Sequence, residues 1–389
     1  MKEVFVIGCG MIPVGRYTDD SIGQIGGTAI VRALEDAGVA AEEVGAIYAG
    51  NMTSGQLCNQ QLVSASLAQE ADLVGVETIT AEGACASGAA AIRLGYLSIA
   101  SGCHRVVVVC GVEKMSHSSR EDATHALATA SDQETESGMG QTFLTLNATL
   151  MKRYIEINNV SRDRFSGFSI NAHKNAATNP HALHRKPISK EMYMESRDIA
   201  FPIRLYDAPA ICDGAACIVL ADADTARNLD KPDQSVARIT ASTVSSDSIS
   251  LFKRQDITSL SALGRSAHEA YAAAGIRSGD VSFFELHDAF TVITAISLEA
   301  AGFAEKGQGV YFSGEGEIGL GGTLPICTFG GLKARGHPIG ASGVYQMAEA
   351  YLQLTDNAGE NQVPDANIGM VQNISGVGTV AFTHILERS

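Results

Sequence analysis

The sequence predicts an α/β protein built as two similar halves. Three observations lead there. A block of helix, glycine and strand occurs twice, a block of glycine-rich turn, long helix and apolar strand also occurs twice, and a polar stretch interrupts the first copy. A chain of 389 residues is longer than one core commonly supports, which agrees with two units of roughly 150 to 200 residues.

In the first repeated block, AIVRALEDAGVAAEEVGAIYAG (Ala29 to Gly50) matches SAHEAYAAAGIRSGDVSFFELHD (Ser266 to Asp288). Gly38 and Gly275 fall at corresponding positions and end their helices. In the second, Ala84-Cys85-Ala86-Ser87-Gly88 and its following helix match Ile339-Gly340-Ala341-Ser342-Gly343 and VYQMAEAYLQL. Each leads to an apolar run, RVVVVCG at Arg105 and NIGMVQNIS at Asn367. Alternating strands and helices of these lengths predict βαβ units, mostly parallel sheets and a pseudo-twofold between the halves. Residues from about 115 to 200 break the alternation with polar loops and one amphipathic helix, TFLTLNATLMKRYIEINN.

Composition narrows the function. Apolar residues make up 45% and charged residues 18%, as in a compact folded protein. Lys plus Arg total 28 against 43 Asp plus Glu, a net charge of −15, which argues against nucleic acid or an anionic membrane as partner. The N-terminal MKEVFVIGCGMIPVG reads as strand and turn rather than a signal peptide, and no run approaches the ~20 apolar residues of a membrane span. The expected address is cytoplasmic. The 8 cysteines are scattered and unlike a disulfide framework. Pairs such as Cys103 and Cys110, or Cys212 and Cys217, lack metal-ligand spacing, so no metal site is expected.

Cys85 lies in GACASG immediately before a helix, where the dipole and free N–H groups favour a thiolate; a small buried residue between close helices is the competing reading. His337 lies in GGLKARGHPIGASG before the matching helix of the second half. If the halves pack about a twofold, the two helix N-termini converge and His337 faces Cys85 as a neutral base. In FFELHDAF a strand ends at His287 and Asp288. His287 could donate to an oxyanion or shuttle a proton, and Asp288 could cap the helix beginning near Phe290. NISGVGT follows the last core strand and offers backbone N–H groups for a second oxyanion hole.

These motifs resemble the thiolase superfamily. GACASGAAAIRLG, GVEKMS, CDGAACIVLAD, HDAF, GGLKARGHPIGASG and NISGVG stand in thiolase order and at thiolase-like spacing along nearly the whole chain. The resemblance implies a five-layered αβαβα fold built from two duplicated βαβαβαββ halves. Residues 1–115 and 201–240 would form the first half, 116–200 an inserted coenzyme A-binding loop domain, and 241–389 the second half. It implies reversible Claisen condensation and thiolysis, coenzyme A and acyl-CoA as substrates with no tightly bound cofactor, and a homodimer or dimer of dimers.

Carried over by motif, Cys85 is the acylated nucleophile, and His337 is its activating base and a donor to the first oxyanion. The N–H groups of Cys85 and of Ser375 or Gly376 form the second hole. Met115, Phe329, Arg185 and Lys186 are candidate substrate-binding residues, with Phe329 either shaping the acyl pocket or packing in the core. Two departures matter. Thiolases of the NEAF type carry asparagine where this chain has His287, and a second cysteine where it has Asn373. Sterol-carrier-type thiolases place that cysteine within HDCF, at the position of Ala289. The pattern is most similar to archaeal-type and related bacterial thiolases, which often work with a small zinc-ribbon and OB-fold partner. His287 then becomes the candidate for proton transfer at the substrate α-carbon. Acetoacetyl-CoA is the default substrate, a bulkier 3-oxoacyl-CoA such as benzoylsuccinyl-CoA the variant. A decarboxylating ketosynthase and a non-catalytic scaffold are the alternatives.

Overall fold

A computed structural model describes residues 1–229 and 236–389. Residues 230–235, part of the stretch 201–240 expected in the first half, lie outside the described residues. The strands are β1 (Val4–Met11), β2 (Ala46–Gly50), β3 (Glu77–Ala81), β4 (Val106–Glu113), β5 (Asp198–Ala200), β6 (Ile203–Arg204), β7 (Gly214–Asp222), β8 (Ala237–Ser246), β9 (Phe283–Glu285), β10 (Ile368–Ser375) and β11 (Val380–Arg388). The helices of eight or more residues are α1 (Ile22–Ala37), α2 (Val63–Glu70), α3 (Ser87–Ser101), α4 (Arg120–Ala128), α5 (Phe143–Asn158), α6 (Ser166–Ala176), α7 (Ser261–Ala274), α8 (Thr291–Ala300) and α9 (Ile339–Leu354).

The repeated blocks fold alike. Helix α1 starts from a capping box between Ser21 and Gln24 and ends at Gly38, φ 66°. Helix α7 ends the same way at Gly275, φ 71°. This left-handed residue stops the helix because only glycine adopts it without a Cβ penalty. Strands β2 and β9 follow these helices, and β4 and β10 follow α3 and α9.

Nine strands form one sheet in the order β3-β2-β4-β7-β1-β8-β11-β10-β9, while β5 and β6 form a separate pair. The expectation of mostly parallel sheets is corrected here. β2 runs parallel to β3 and β4, and β9 parallel to β10. The pairs β1/β7, β1/β8, β4/β7, β8/β11 and β10/β11 are antiparallel. Only the connections that cross over through a helix give parallel neighbours; β10 and β11 are joined by a tight turn, which forces antiparallel pairing. The two strand groups meet at β1 and β8, paired only over Val4–Val6 and Ala237–Ile239.

Helices α1 and α2 cover one face of the first group, α7 packs on β8 and β11, and α3 and α9 touch strands of both groups. The layers are therefore helix, sheet, helix, sheet, helix. Strands β4 and β7 are buried at every residue because both faces are covered. Residues 116–200 contribute α4, α5 and α6 but no strand of the large sheet. The expected amphipathic helix is α5, capped by Thr142 and ended by left-handed Asn159. Among the described residues no helix is long and apolar enough to cross a membrane.

Candidate active site

Helices α3 and α9 cross almost backbone to backbone at their N-termini. A Cβ on Gly88 would stand 2.8 Å from the Gly340 carbonyl oxygen, and one on Gly343 would stand 2.6 Å from the Ala89 nitrogen. Glycine at these positions lets the two middle-layer helices approach so closely that the residues preceding them share one site. Cys85 sits in a single 3-10 turn, Ala84–Ala86, directly ahead of α3, with Ala84 at φ 50°. His337 follows a one-turn π-helix, Gly331–Arg335, and Pro338 caps α9.

Glu113 at the end of β4 ties the halves together. Its buried carboxylate accepts from Gly340 N (3.0 Å), Met52 N (3.1 Å), Thr53 N (3.1 Å), Thr53 Oγ1 (2.7 Å) and Asn51 Nδ2 (3.0 Å). The loop after β2 and the start of α9 are thus held by one acceptor. From the other side, Leu183 N and His184 N donate to the carbonyls of Arg335 and Ala334, at 2.9 and 3.0 Å.

His287 follows β9, and its ring stands edge to face with that of His337, centroids 5.1 Å apart. Cys85 Sγ and one ring nitrogen of each histidine lie within 4.8 Å of one another. Such a sulfur and nitrogen set would also suit a soft divalent cation. Asp288 does not cap α8, whose N-cap is Phe290 without a side-chain bond. It forms a fully buried ion pair with Lys333 at 2.6 Å and accepts from Leu332 N at 2.6 Å. The buried Lys333 ammonium gives this carboxylate a charge-assisted partner that the neutral N–H groups of the helix do not offer.

Electrostatics sets the proton inventory. Burial pushes the Cys85 thiol up to about 12, against the lowering influence of the Gly376 and Cys85 N–H groups directed at it. The helix N-terminus therefore does not by itself yield a thiolate, and the thiol needs a base. Both histidines are neutral. Burial, then Arg335 and Lys333, lower His287 to about 3, and burial, then His287 and Arg335, hold His337 well below the usual imidazole range. His337 Nδ1 lies 2.6 Å from Ser342 Oγ. That hydroxyl donates to the Pro338 carbonyl at 3.1 Å, so it accepts from Nδ1–H. His337 Nε2 is left with its lone pair, the form of a general base.

The site opens into a cavity of about 1080 Å³ lined by Cys85, His287, His337 and Gly376. Phe143, Leu144, Ile199, Phe290 and Ile293 supply apolar wall, and Arg16, Arg120 and Arg197 supply cations. Gly376, at φ 56°, directs its N–H to Cys85, whereas Ser375 is occupied in the β10/β11 ladder and its hydroxyl donates to the Gly83 carbonyl. Met115 packs against Cys85 and Ile339 without lining the cavity. Phe329 is buried away from the cavity, its carbonyl accepting from Asn179. Arg185 and Lys186 are exposed and do not line it either. Sequence reasoning missed Ser342, Gln346, Lys333 and the three cavity arginines. Ser342 was within reach, lying five residues after His337 on the first turn of α9.

Two family descriptions match the chain, "Thiolase, N-terminal domain" over residues 4–194 and "Thiolase C-terminal domain-like" over residues 243–388. An acetyl-CoA acetyltransferase of Methanothermobacter thermautotrophicus is 39% identical over 389 residues, covering 100% of both chains. The benzoylsuccinyl-CoA thiolase subunit BbsB of Thauera aromatica is 30% identical, covering 99% of this chain and 94% of its own. A solved structure described as an Ltp2-ChsH2(DUF35) aldolase superposes with a TM-score of 0.85 over 99% of this chain and 98% of that one; its 23% identity speaks for the fold alone. With converging helix N-termini, a Cys-His-His site and relatives 39% and 30% identical along nearly the whole chain, the chain belongs to the thiolase family.

Proposed function

We propose that this protein is an acyltransferase that cleaves a 3-oxoacyl-CoA with free coenzyme A, or runs the reverse condensation, through an acyl thioester on Cys85. The observation that carries the reading is the approach of Cys85 Sγ and the two histidine nitrogens within 4.8 Å at the cavity wall. His337 Nε2 takes the Cys85 proton as sulfur attacks the 3-oxo carbon. His287 and His337 face the thioester oxygen that gains charge when the C2–C3 bond breaks, and the N–H groups of Cys85 and Gly376 face the acyl-enzyme carbonyl. Fixed donors aimed at two developing oxyanions are what this chemistry requires.

Arg16, Arg120 and Arg197 are exposed at the cavity and make no ion pair among the described residues, which supports them, rather than Arg185 and Lys186, as the hold on coenzyme A phosphates in an acidic protein. The apolar wall and the cavity volume suit a 3-oxoacyl group larger than acetoacetyl as well as acetoacetyl itself. A homodimer is supported by β3, an edge strand with one unpaired side. A partner subunit, for which the resemblance implies a small zinc-ribbon and OB-fold protein, is supported by the second component, ChsH2(DUF35), named in the structurally similar aldolase. Loss of 3-oxoacyl-CoA absorbance on adding coenzyme A, with acetoacetyl-CoA and a bulkier analogue compared, tests the reading. Full activity in Cys85→Ala, or carbon dioxide release from a malonyl thioester without thiolysis, would contradict it.

A further inference from the structure

Asn373 occupies the position where the resemblance places a second cysteine, and an amide cannot take over that residue's proton transfers. What it does instead follows from a chain of buried hydrogen bonds. Gln346 Nε2 donates to two main-chain carbonyls, Glu285 O at 3.0 Å and Gln372 O at 3.3 Å. Carbonyl oxygens only accept, so the orientation of the Gln346 amide is fixed and Oε1 faces Asn373. Asn373 Nδ2 donates to that Oε1 at 2.9 Å and stands 2.9 Å from His287 Nδ1. A flipped Asn373 would set two amide oxygens against each other. The orientation holds even though it leaves Asn373 Oδ1 without a partner. His287 Nδ1 must therefore accept, and the neutral ring carries its proton on Nε2.

Resting on the thiolase reading above, we propose that Gln346 and Asn373 are positioning residues that lock His287 as a hydrogen-bond donor, and that His337 alone moves every proton of the reaction. The two histidines then have opposite tautomers and separate duties. In the first half-reaction the Cys85 S–H proton passes to His337 Nε2 as the C3–S bond forms. The C2–C3 bond breaks, its electron pair becomes the enolate of the departing acyl-CoA, and His287 Nε2–H holds the enolate oxygen without giving up its proton. His337 then delivers its proton to C2. In the second, the coenzyme A thiol gives its proton to His337, its sulfur attacks the acyl carbonyl, and the C–S bond to Cys85 breaks. Cys85 takes the proton back. The cycle closes with one base and no second thiol. This scheme replaces the expectation that His287 transfers the proton at the α-carbon: in the locked tautomer, surrendering Nε2–H would leave an imidazolate beside an amide N–H that is too weak an acid to relay its proton.

Nitrogen NMR, thiolysis rates and proton exchange test this. In the intact protein labelled with ¹⁵N-histidine, nitrogen NMR is expected to show His287 protonated on Nε2 and His337 on Nδ1; His287 protonated on Nδ1 overturns the proposal. Asn373→Asp, which offers an acceptor to Nδ1, should move the His287 proton to Nδ1 and lower thiolysis about 10²- to 10³-fold, the effect of losing one oxyanion donor. Exchange of the α-protons of acetyl-CoA in D₂O reads the C2 transfer alone. His287→Gln, which retains a donor, should keep exchange at least about tenfold above His337→Gln, where general-base catalysis worth about 10²- to 10⁴-fold is gone. Equal loss in the two variants, or greater loss in His287→Gln, overturns the one-base scheme. An acyl adduct on Cys85 accompanied by His287 protonated on Nδ1 would overturn this inference and leave the thiolase reading standing, whereas absence of the adduct removes both.

Discussion

The His287 and His337 rings stand at 86° to each other, 5.1 Å between centroids, at the wall of the cavity that also holds Cys85. One histidine comes from the end of β9 and the other from the turn before α9. Their encounter depends on the buried charges behind them and on the close crossing of α3 and α9.

The Lys333–Asp288 pair fixes both histidine-bearing turns, since Asp288 follows His287 and Lys333 belongs to the turn before His337. Removing one partner leaves an uncompensated buried charge. Asp288→Ala or Lys333→Ala should destabilise the fold by about 3 to 5 kcal/mol. Urea unfolding checks this, and a change below about 1 kcal/mol would show that water reaches the pair.

The helix crossing should tolerate no side chain. Gly343→Ala puts a methyl 2.6 Å from the Ala89 nitrogen. The expected outcome is about 1 to 3 kcal/mol of overpacking strain and a fall of about 10²-fold in turnover from displaced reacting groups. Gly279→Ala, with nothing within 4 Å of the added methyl, is the matched control. Equal behaviour of the two variants would contradict the account.

Alkylation of Cys85 by iodoacetamide in the free protein should be slow at pH 7 and rise about tenfold per pH unit, because only thiolate reacts. With the thiol at about 12, no plateau is expected below pH 10. Peptide mass spectrometry follows the rate at this residue, and a plateau near pH 8 would show that the helix terminus outweighs burial after all.

Glu285 is fully buried, and burial together with the Glu349 carboxylate pushes it up to about 8. Its folded value exceeds the unfolded value of about 4.3. Its contribution to stability is thus complete below pH 4.3 and is lost as pH rises through 8, at about 1.4 kcal/mol per unit. Glu285→Gln keeps an acceptor for Thr328 N and Oγ1, which now bond Oε1 at 2.8 and 2.5 Å. The variant should gain stability relative to the wild type between pH 5 and pH 8. Parallel pH profiles of the unfolding free energy would contradict this.

Much of the site was legible in the sequence because repeats carry geometry. Two matched turn-helix blocks place Cys85 and His337 in the turns ahead of corresponding helices, and the pseudo-twofold then brings them together. Gly38 and Gly275 were legible for a local reason, since each ends its helix in a left-handed conformation. Strand direction was not legible: apolar runs such as VVVVCGVE look the same in parallel and antiparallel neighbours once both faces are buried. The arginines at the cavity, Arg16, Arg120 and Arg197, come from three separate segments, and exposed cations resemble any solvated surface charge in one dimension. Asp288 looked like a cap because sequence shows the helix beside it but not Lys333 across the turn. The tautomer of His287 depends on Glu285, Gln346 and Asn373 meeting from a strand, a helix and a second strand.

The central claim is that Cys85 carries the acyl group. Intact-protein mass spectrometry after brief incubation with an acyl-CoA, followed by peptide mapping, tests it most directly. The account predicts one acyl mass increment located on Cys85, absent in Cys85→Ala and discharged by free coenzyme A. No increment on Cys85, even with a zinc-ribbon partner subunit supplied, would contradict it.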